Sequence, residues 1–214
     1  MISSLIEAQK LYSEGKWEAA VYLIDSEMVK FTEKEEVAEG SRIKGWSFYY
    51  MAIKGDESSK KNFLEFSRGS FKIVLRESLE KSTRISALNG LPLVLWILGE
   101  TKEAWEVSSR AVKEFPDEPS AWNTRSILCR WGKDFEQAVE VCNEVYSKAL
   151  SRGDLRTAGH AKQNRGDALR ELGRIEEAKL DYATAIGFYR DFERESGQSM
   201  VPHIEGATKK LAAI

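Results

Sequence analysis

The sequence predicts an all-α protein that stacks about five antiparallel helix hairpins and ends in a capping helix. A glycine is followed after five or six residues by an alanine in four places, at Gly15–Ala20, Gly99–Ala104, Gly132–Ala138 and Gly173–Ala178. The last three alanines are 34 and 40 residues apart, a spacing typical of helical repeats. Between the turns, apolar residues recur at helical intervals and no segment alternates convincingly like a strand.

The recurring glycine and alanine have a physical reason in a helical hairpin. Glycine ends a helix readily because it adopts the left-handed conformation, and a small alanine lets two helix axes approach closely. A single hairpin cannot bury both of its faces, so consecutive hairpins have to stack.

The first two predicted units span residues 1–34 and 38–84. The first carries Gly15, Trp17 and Ala20, and the second is divergent. In the second unit Gly45 fits a first helix, and Phe66 with Gly69 is expected to supply the aromatic and small pair of a second helix. A long connection, Lys54 to Asn62, is expected between the two helices.

The third unit, 85–118, shows the pattern most clearly. Gly99 marks its turn, Ala104 and Ala111 share one helix face, and Pro116 stands where the second helix must stop. Pro92 falls inside the predicted first helix and removes one backbone hydrogen bond. We therefore expect a kink near Leu88 to Pro92.

The fourth and fifth units are predicted at 119–152 and 159–192. The turn glycine of the fourth unit, Gly132, is displaced by one residue. Six extra residues precede the fifth unit, and we expect them to lengthen the preceding helix and loop.

A capping helix is predicted at about 200–213, beginning beside Pro202. Its apolar stripe consists of Val201, Ile204, Ala207, Leu211 and Ile214. Such a helix covers the exposed face of the last hairpin. The alternative is that the stripe contacts a second copy of the chain or a partner.

These residues resemble the tetratricopeptide repeat (TPR), whose units are 34-residue helical hairpins. The match is best at 85–118, on Gly99, Ala104, Ala111 and Pro116. The resemblance implies a single TPR-like domain, 1–214, wound as a right-handed superhelical solenoid. It also implies a concave groove lined by the first helix of each hairpin. The groove positions of the family fall here on Trp46, Tyr49, Tyr50, Asn89, Trp96, Asn123, Arg130, Trp131, Asn164 and Arg170.

Two groups within this set suggest how a peptide is held. The amides of Asn89, Asn123 and Asn164 can both donate to and accept from a peptide backbone, so a row of them could hold an extended segment. The alternative is that these asparagines serve local structure. The aromatic residues of the set could anchor a partner or pack between units.

Nothing in the sequence points to catalysis, a metal or a cofactor. His160 and His203 lie in no metal-binding or nucleophile motif, and no glycine-rich loop is suited to a phosphate. Cys129 and Cys142 lack the paired spacing of a zinc site and are expected to be buried thiols. We predict a protein that is not an enzyme.

Charge and hydropathy narrow the class of partner. The chain of 214 residues has a formal net charge of −2, so a membrane surface or a nucleic acid finds little electrostatic attraction. No segment resembles a leader or a membrane span, and we expect a soluble, cytoplasmic protein.

The predicted function is a non-enzymatic adaptor that binds a peptide segment or helix of another protein in its concave groove. One alternative is a self-associating structural component, for which residues 1–40 carry nine acidic and four basic groups and residues 41–85 carry five acidic and ten basic groups. A helical-repeat RNA-binding protein is the other alternative, and the acidic balance disfavours it.

Overall fold

The computed structural model describes residues 3–214, which form eleven α-helices and one short 3-10 helix. Met1 and Ile2, with which the first predicted unit begins, lie outside the described residues. No strand occurs between residues 3 and 214. The prediction of an all-α protein is confirmed.

The helices form two compact units that divide inside α6, between Ala111 and Val112. In the first unit each helix from α1 to α5 packs against the next one in the chain, and α3 also packs against α1 and α5. The first helices of three hairpins therefore lie side by side. The helices of this unit are α1 (Ser3–Ser13), α2 (Trp17–Glu27), α3 (Lys34–Lys54), α4 (Glu57–Glu77), α5 (Lys81–Ile97) and most of α6 (Thr101–Glu114), with the 3-10 helix at Met28–Lys30.

The turn between α3 and α4 is tight, and the predicted long connection from Lys54 to Asn62 is wrong. Only Gly55 and Asp56 join the two helices, and the Gly55 N–H donates to the Met51 carbonyl at 2.8 Å. The polar residues that suggested a loop form the first turns of α4 instead. Glu57 lies in the first of these turns, where a negative charge interacts favourably with the helix dipole.

A buried phenylalanine ring joins the helices of the first unit. The Phe71 ring on α4 lies against the bare backbones of Gly45 on α3 and Gly90 on α5, where an added Cβ would come within 2.6 and 2.3 Å of ring carbons. Phe66 was expected in this role, and that prediction is wrong because its side chain is 56% exposed. Nothing lies within 4 Å of a Cβ added at Gly69, so this residue is not a packing position either.

Pro92 lies within α5, which continues through it to Ile97. The residues around Pro92 are buried, so packing against neighbouring side chains compensates for the missing backbone hydrogen bond. The kink expected near Leu88 stays a prediction.

The second unit begins in the last turn of α6 and contains two complete hairpins and the terminal helix. Neighbouring helices pack together, and α7 also packs against α9. The helices are α7 (Pro119–Trp131), α8 (Phe135–Ser151), α9 (Leu155–Glu171), α10 (Ile175–Ser196) and α11 (Val201–Ala212).

Lys133 takes the place of a turn glycine between α7 and α8. Its φ is 60°, and it is the one residue other than glycine with a positive φ among those described. The N–H of Lys133 donates to Arg130 and the next N–H donates to Cys129, the same bonds that surround Gly99 and Gly173 in the other turns. This turn therefore has the same hydrogen bonds as the turns at Gly99 and Gly173. Gly132 itself adopts a right-handed conformation at the end of α7.

Four of the six extra residues before 159 form the first turn of α9, so the expectation that these residues lengthen the preceding helix and loop is wrong. α9 begins at Leu155, and the Asp154 carboxylate accepts the Thr157 N–H at 2.9 Å as an N-cap. The preceding loop stays short, because α8 continues to Ser151.

Tyrosine rings on α10 pack against glycines on α9. A Cβ at Gly159 would lie 2.6 Å from a Tyr189 ring carbon, and one at Gly166 would lie 2.8 Å from a Tyr182 ring carbon. Both rings are fully buried. This close packing aligns α9 and α10, which carry much of the candidate site.

The terminal helix α11 packs against α10 and covers the last hairpin, as expected of a capping helix. Ala207 is buried in its contact, and Ile204, Leu211 and Ile214 are partly buried. Val201, expected in the same stripe, is exposed because it begins the helix at the edge of the contact. Within residues 3–214, no helix is long and apolar enough to cross a membrane.

Candidate functional site

Three of the predicted groove residues meet where α7 packs against α9. The Asn164 Nδ2 donates to Asn123 Oδ1 at 2.9 Å, and Arg130 Nη1 donates to Asn164 Oδ1 at 2.7 Å. Arg130 Nη1 also donates to Asp167 Oδ2 at 2.6 Å. The two asparagines are therefore adjacent, and a guanidinium group orients the second of them.

Asp167 is the centre of a wider polar network. Lys210 Nζ on α11 lies 2.7 and 2.8 Å from the two carboxylate oxygens, and the Tyr182 hydroxyl donates to Oδ1 at 2.9 Å. Burial raises the pKa of Tyr182, and the Asp167 charge and hydrogen bond raise it further, so its hydroxyl stays protonated as a donor.

This network forms one wall of an open cleft of about 300 Å³. Four cationic side chains line the cleft, together with two aromatic rings and two carboxylates. They are Arg130, Lys133, Arg170, Lys210, Trp131, Phe135, Asp167 and Glu171. Each carboxylate already has a cationic partner, since Arg130 and Lys210 bind Asp167 and Arg170 Nη2 donates to Glu171 at 2.8 Å. The cleft keeps an excess of positive charge and suits an anionic group.

Sequence reasoning missed Lys210, because the site residues were selected from the first helices of hairpins. A signal was present: Lys210 follows Ala207 by three residues and His203 by seven, which places all three on one face of α11. The capping helix therefore contributes a charged group to the site in addition to covering the core.

The predicted aromatic residues of α3 lie together in the first unit. Tyr50 stacks on Trp17 with ring centroids 5.4 Å apart, and the Trp46 ring lies 5.6 Å from Tyr49 and 6.1 Å from Tyr50. Trp46 Nε1 also donates to Ser86 Oγ on α5 at 2.8 Å. Burial raises the pKa of Tyr49 to about 12, and Tyr50 adds to the shift. These half-buried rings hold α1, α2, α3 and α5 together and leave their outer edges exposed.

Asn89 and Trp96, the remaining predicted residues, both lie on α5 in the first unit. The Asn89 Oδ1 atom is buried without a hydrogen-bond partner in the described part of the chain. The Trp96 ring lies 6.0 Å from Trp105 of α6 in an edge-to-face arrangement.

Known proteins show sequence and fold similarity to this chain. No protein-family model matches the chain. Tetratricopeptide repeat protein 36 of Danio rerio is 30% identical over 116 residues, which are 54% of this chain and 61% of that protein. The chain thus spans less than two thirds of the length of this relative.

Two solved structures have a similar fold. One is YrrB, described as a TPR protein with an unusual peptide-binding site, at a TM-score of 0.50, 17% identity and coverage of 89% of this chain and 87% of that one. The other is the MamA protein, at a TM-score of 0.53, 15% identity and coverage of 92% and 95%. The chain has a tetratricopeptide-repeat fold. The resemblance predicted from the sequence is confirmed.

Within this TPR fold, α7 and α9 are the first helices of successive hairpins, and Asn123, Arg130 and Asn164 lie where they adjoin. Neither thiol of the TPR chain is a ready nucleophile, since burial raises the pKa of Cys129 to about 11 and that of Cys142 to about 12. Across residues 3–214, no three His, Cys, Asp or Glu side chains are grouped to hold a metal.

Proposed function

We propose that the chain is a non-enzymatic adaptor that holds an extended segment of another protein where α7 adjoins α9. The observation that carries the proposal is the arrangement of Asn123, Asn164 and Arg130 beside an open cationic cleft. TPR relatives support a role in protein interaction generally.

The amide of Asn123 provides a group for a peptide backbone. Its Oδ1 accepts from Asn164, whereas its Nδ2 donates to no other group among residues 3–214. A side-chain amide that is fixed by one hydrogen bond and keeps a donor can bind a peptide carbonyl without reading the peptide side chains.

The cleft supplies the chemistry that selects the segment. Arg130, Arg170 and Lys210 are cationic groups beside the ring of Trp131. Guanidinium groups bind carboxylates through short charge-assisted hydrogen bonds, and an aromatic ring adds apolar contact. We therefore propose a segment with one or more acidic residues.

The test is affinity purification from the native cell with variants in the second unit. One bait carries Asn123→Ala with Asn164→Ala, a second carries Arg170→Glu in the cleft, and Lys179→Glu on α10 is the matched control. A partner that depends on the site is retained by the wild type and the control and lost from the other two baits. Circular dichroism verifies that each bait is folded.

Retention of the same partners by all four baits would contradict the proposed site. Recovery of RNA whose binding falls steeply with salt, with no protein partner, would contradict the adaptor function itself.

Self-association is the second candidate, because the first hairpin exposes apolar side chains. Tyr22 is 77% exposed and Val29 is 91% exposed. Exposed apolar groups of this kind mark interfaces when they are contiguous. Light scattering over a concentration series tests this candidate, and a monomer at every concentration removes it.

A further inference from the structure

The two histidines of the chain pack against each other at the contact between α9 and α11. The ring centroids of His160 on α9 and His203 on α11 are 4.8 Å apart, and the ring planes are inclined by 74°. The Tyr189 ring of α10 lies beside both, at 5.4 and 5.5 Å. Three helices therefore meet at three aromatic rings.

Hydrogen bonds select the tautomer of the neutral His160 ring. The Tyr189 hydroxyl donates its one proton to Gln163 Oε1 at 2.9 Å, and the same oxygen lies 3.0 Å from His160 Nδ1. The hydroxyl therefore accepts the Nδ1 proton of His160, which selects one tautomer of a neutral imidazole.

His203 lies in the first turn of α11, and its contact with His160 of α9 adjoins the apolar contact between α11 and α10. Met200 and Ala207 are buried against Ala185 and Tyr189 of α10. Near the other end of α11, Lys210 binds Asp167. His203 thus belongs to the first turn of a helix that is attached along its length to the preceding hairpin.

We propose that α11 is an acid-sensitive latch, in which protonation of the His160 and His203 pair releases α11 from α9 and α10. This inference goes beyond the proposed adaptor function and does not depend on it. Release would withdraw Lys210 from the cleft and uncover the Tyr189 ring, so the latch also regulates the proposed site.

Among the described residues no carboxylate forms a hydrogen bond or ion pair with either imidazole, so no negative charge balances a protonated ring. Burial, followed by the charges of His203 and Arg156, lowers the pKa of His160 to about 3. Burial, followed by Arg156, also lowers the pKa of His203. The groups facing the pair are Arg156 and Gln163 from α9 and the Tyr189 phenol from α10.

Two carboxylates at this end of α10 are engaged elsewhere. Glu193 accepts the backbone N–H of Met200 in the connection to α11, and Asp191 pairs with Arg194 at 2.8 Å. Neither makes a hydrogen bond or ion pair with a histidine. A proton added to the pair therefore meets repulsion and lost hydration while α11 is in place.

The sign of the pH dependence follows from these directions. The docked form has lowered histidine pKa values, so docking is fully favourable above about pH 6.5, the ordinary value, and weakens as the pH falls below it. For His160, whose pKa in the docked form is about 3, a return to the ordinary pKa on release makes the docking equilibrium fall about eightfold between pH 6 and pH 5, and His203 adds to the fall in the same direction.

Hydrogen exchange followed by mass spectrometry tests the latch, with rates corrected for the intrinsic effect of pH. In the wild type, the protection of α11 amides is expected to fall about eightfold or more between pH 6 and pH 5, while the central amides of α9 and α10 stay protected. The double variant His160→Gln with His203→Phe retains a ring at the contact and removes both titrating imidazoles, and its α11 protection is expected to stay nearly constant. Protonation of carboxylates affects both proteins and is thereby controlled.

The double variant His160→Leu with His203→Leu provides a second non-titrating protein if the first disturbs the contact, and NMR titration of the wild-type histidines provides a second measurement. Unchanged α11 protection in the wild type between pH 6 and pH 5 would overturn the latch. So would a parallel loss of protection in both variants, or loss of α9 and α10 protection together with that of α11. Histidines that titrate near pH 6.5 while α11 stays protected would overturn it as well.

Discussion

Substitution of Lys133 by glycine is expected to stabilise the protein. Lys133 has a φ of 60° at a position where Gly99 and Gly173 serve in other turns. A left-handed backbone costs a residue with a Cβ roughly 1–2 kcal/mol, and glycine is free of that cost. Glycine also lowers the free energy of unfolding by roughly 0.5–1 kcal/mol, because it has greater conformational freedom in the unfolded chain. The net gain in the free energy of unfolding is therefore about 0.5–1 kcal/mol.

Urea unfolding followed by circular dichroism measures this difference, provided that the slope with denaturant is the same in both proteins. The matched control is Gly173→Ala, because Gly173 has a φ of 73° and nothing lies within 4 Å of a Cβ added there. With no steric contact to confuse the result, alanine at this position is expected to lose about 1 kcal/mol through backbone strain alone.

The opposite signs of the two changes are the critical outcome. If Lys133→Gly left the midpoint unchanged or lowered it while Gly173→Ala destabilised the protein, the left-handed conformation at residue 133 would not be strained. If both substitutions were neutral, the argument from φ would fail for this fold.

Two further predictions concern the second unit. Gly166→Ala places a Cβ 2.8 Å from a buried Tyr182 ring carbon and is expected to cost about 1–3 kcal/mol in urea unfolding, whereas Gly187→Ala, with nothing within 4 Å, is expected to be neutral or stabilising. Equal effects would contradict the tight ring contact. Asp181→Asn leaves two cations of α9 without their fully buried carboxylate and is expected to lower the unfolding free energy by about 3 kcal/mol, against little change for the exposed Asp191→Asn. A loss below 1 kcal/mol for Asp181→Asn would indicate that water compensates the cations.

The sequence was sufficient for the hairpins because their turns depend on local chemistry. Gly15, Gly99 and Gly173 have the positive φ that ends a helix in this way, and their positions could be identified from composition alone. Lys133 shows the limit of that reasoning. Its turn has the same hydrogen bonds without the glycine, because the remaining contacts of α7 and α8 determine where the chain reverses.

The choice between Phe66 and Phe71 could not be made from the sequence. Both are aromatic residues of α4 with polar neighbours, and only the rotation of α4 against α3 and α5 decides which ring is buried. Gly45 and Gly90, which receive the Phe71 ring, are distant in sequence from it. Packing partners of this kind are set by tertiary structure, beyond the reach of local periodicity.

The candidate site was accessible to sequence reasoning only where the repeat register applied. Asn123, Arg130 and Asn164 were selected from the groove positions of two successive units, and the structure places them in contact. Lys210 lies outside the repeat, so its ion pair with Asp167 had no counterpart in the register.

The hydrogen bonds among Asn123, Asn164 and Arg130 also set a limit on how tightly a ligand can be held. A peptide that bonds to Asn164 must exchange with groups that are already paired, and such an exchange contributes little net free energy. Affinity then depends on the ionic contacts, which raise the association rate of the peptide more than they lower its dissociation rate. A complex formed in this way would have a short residence time.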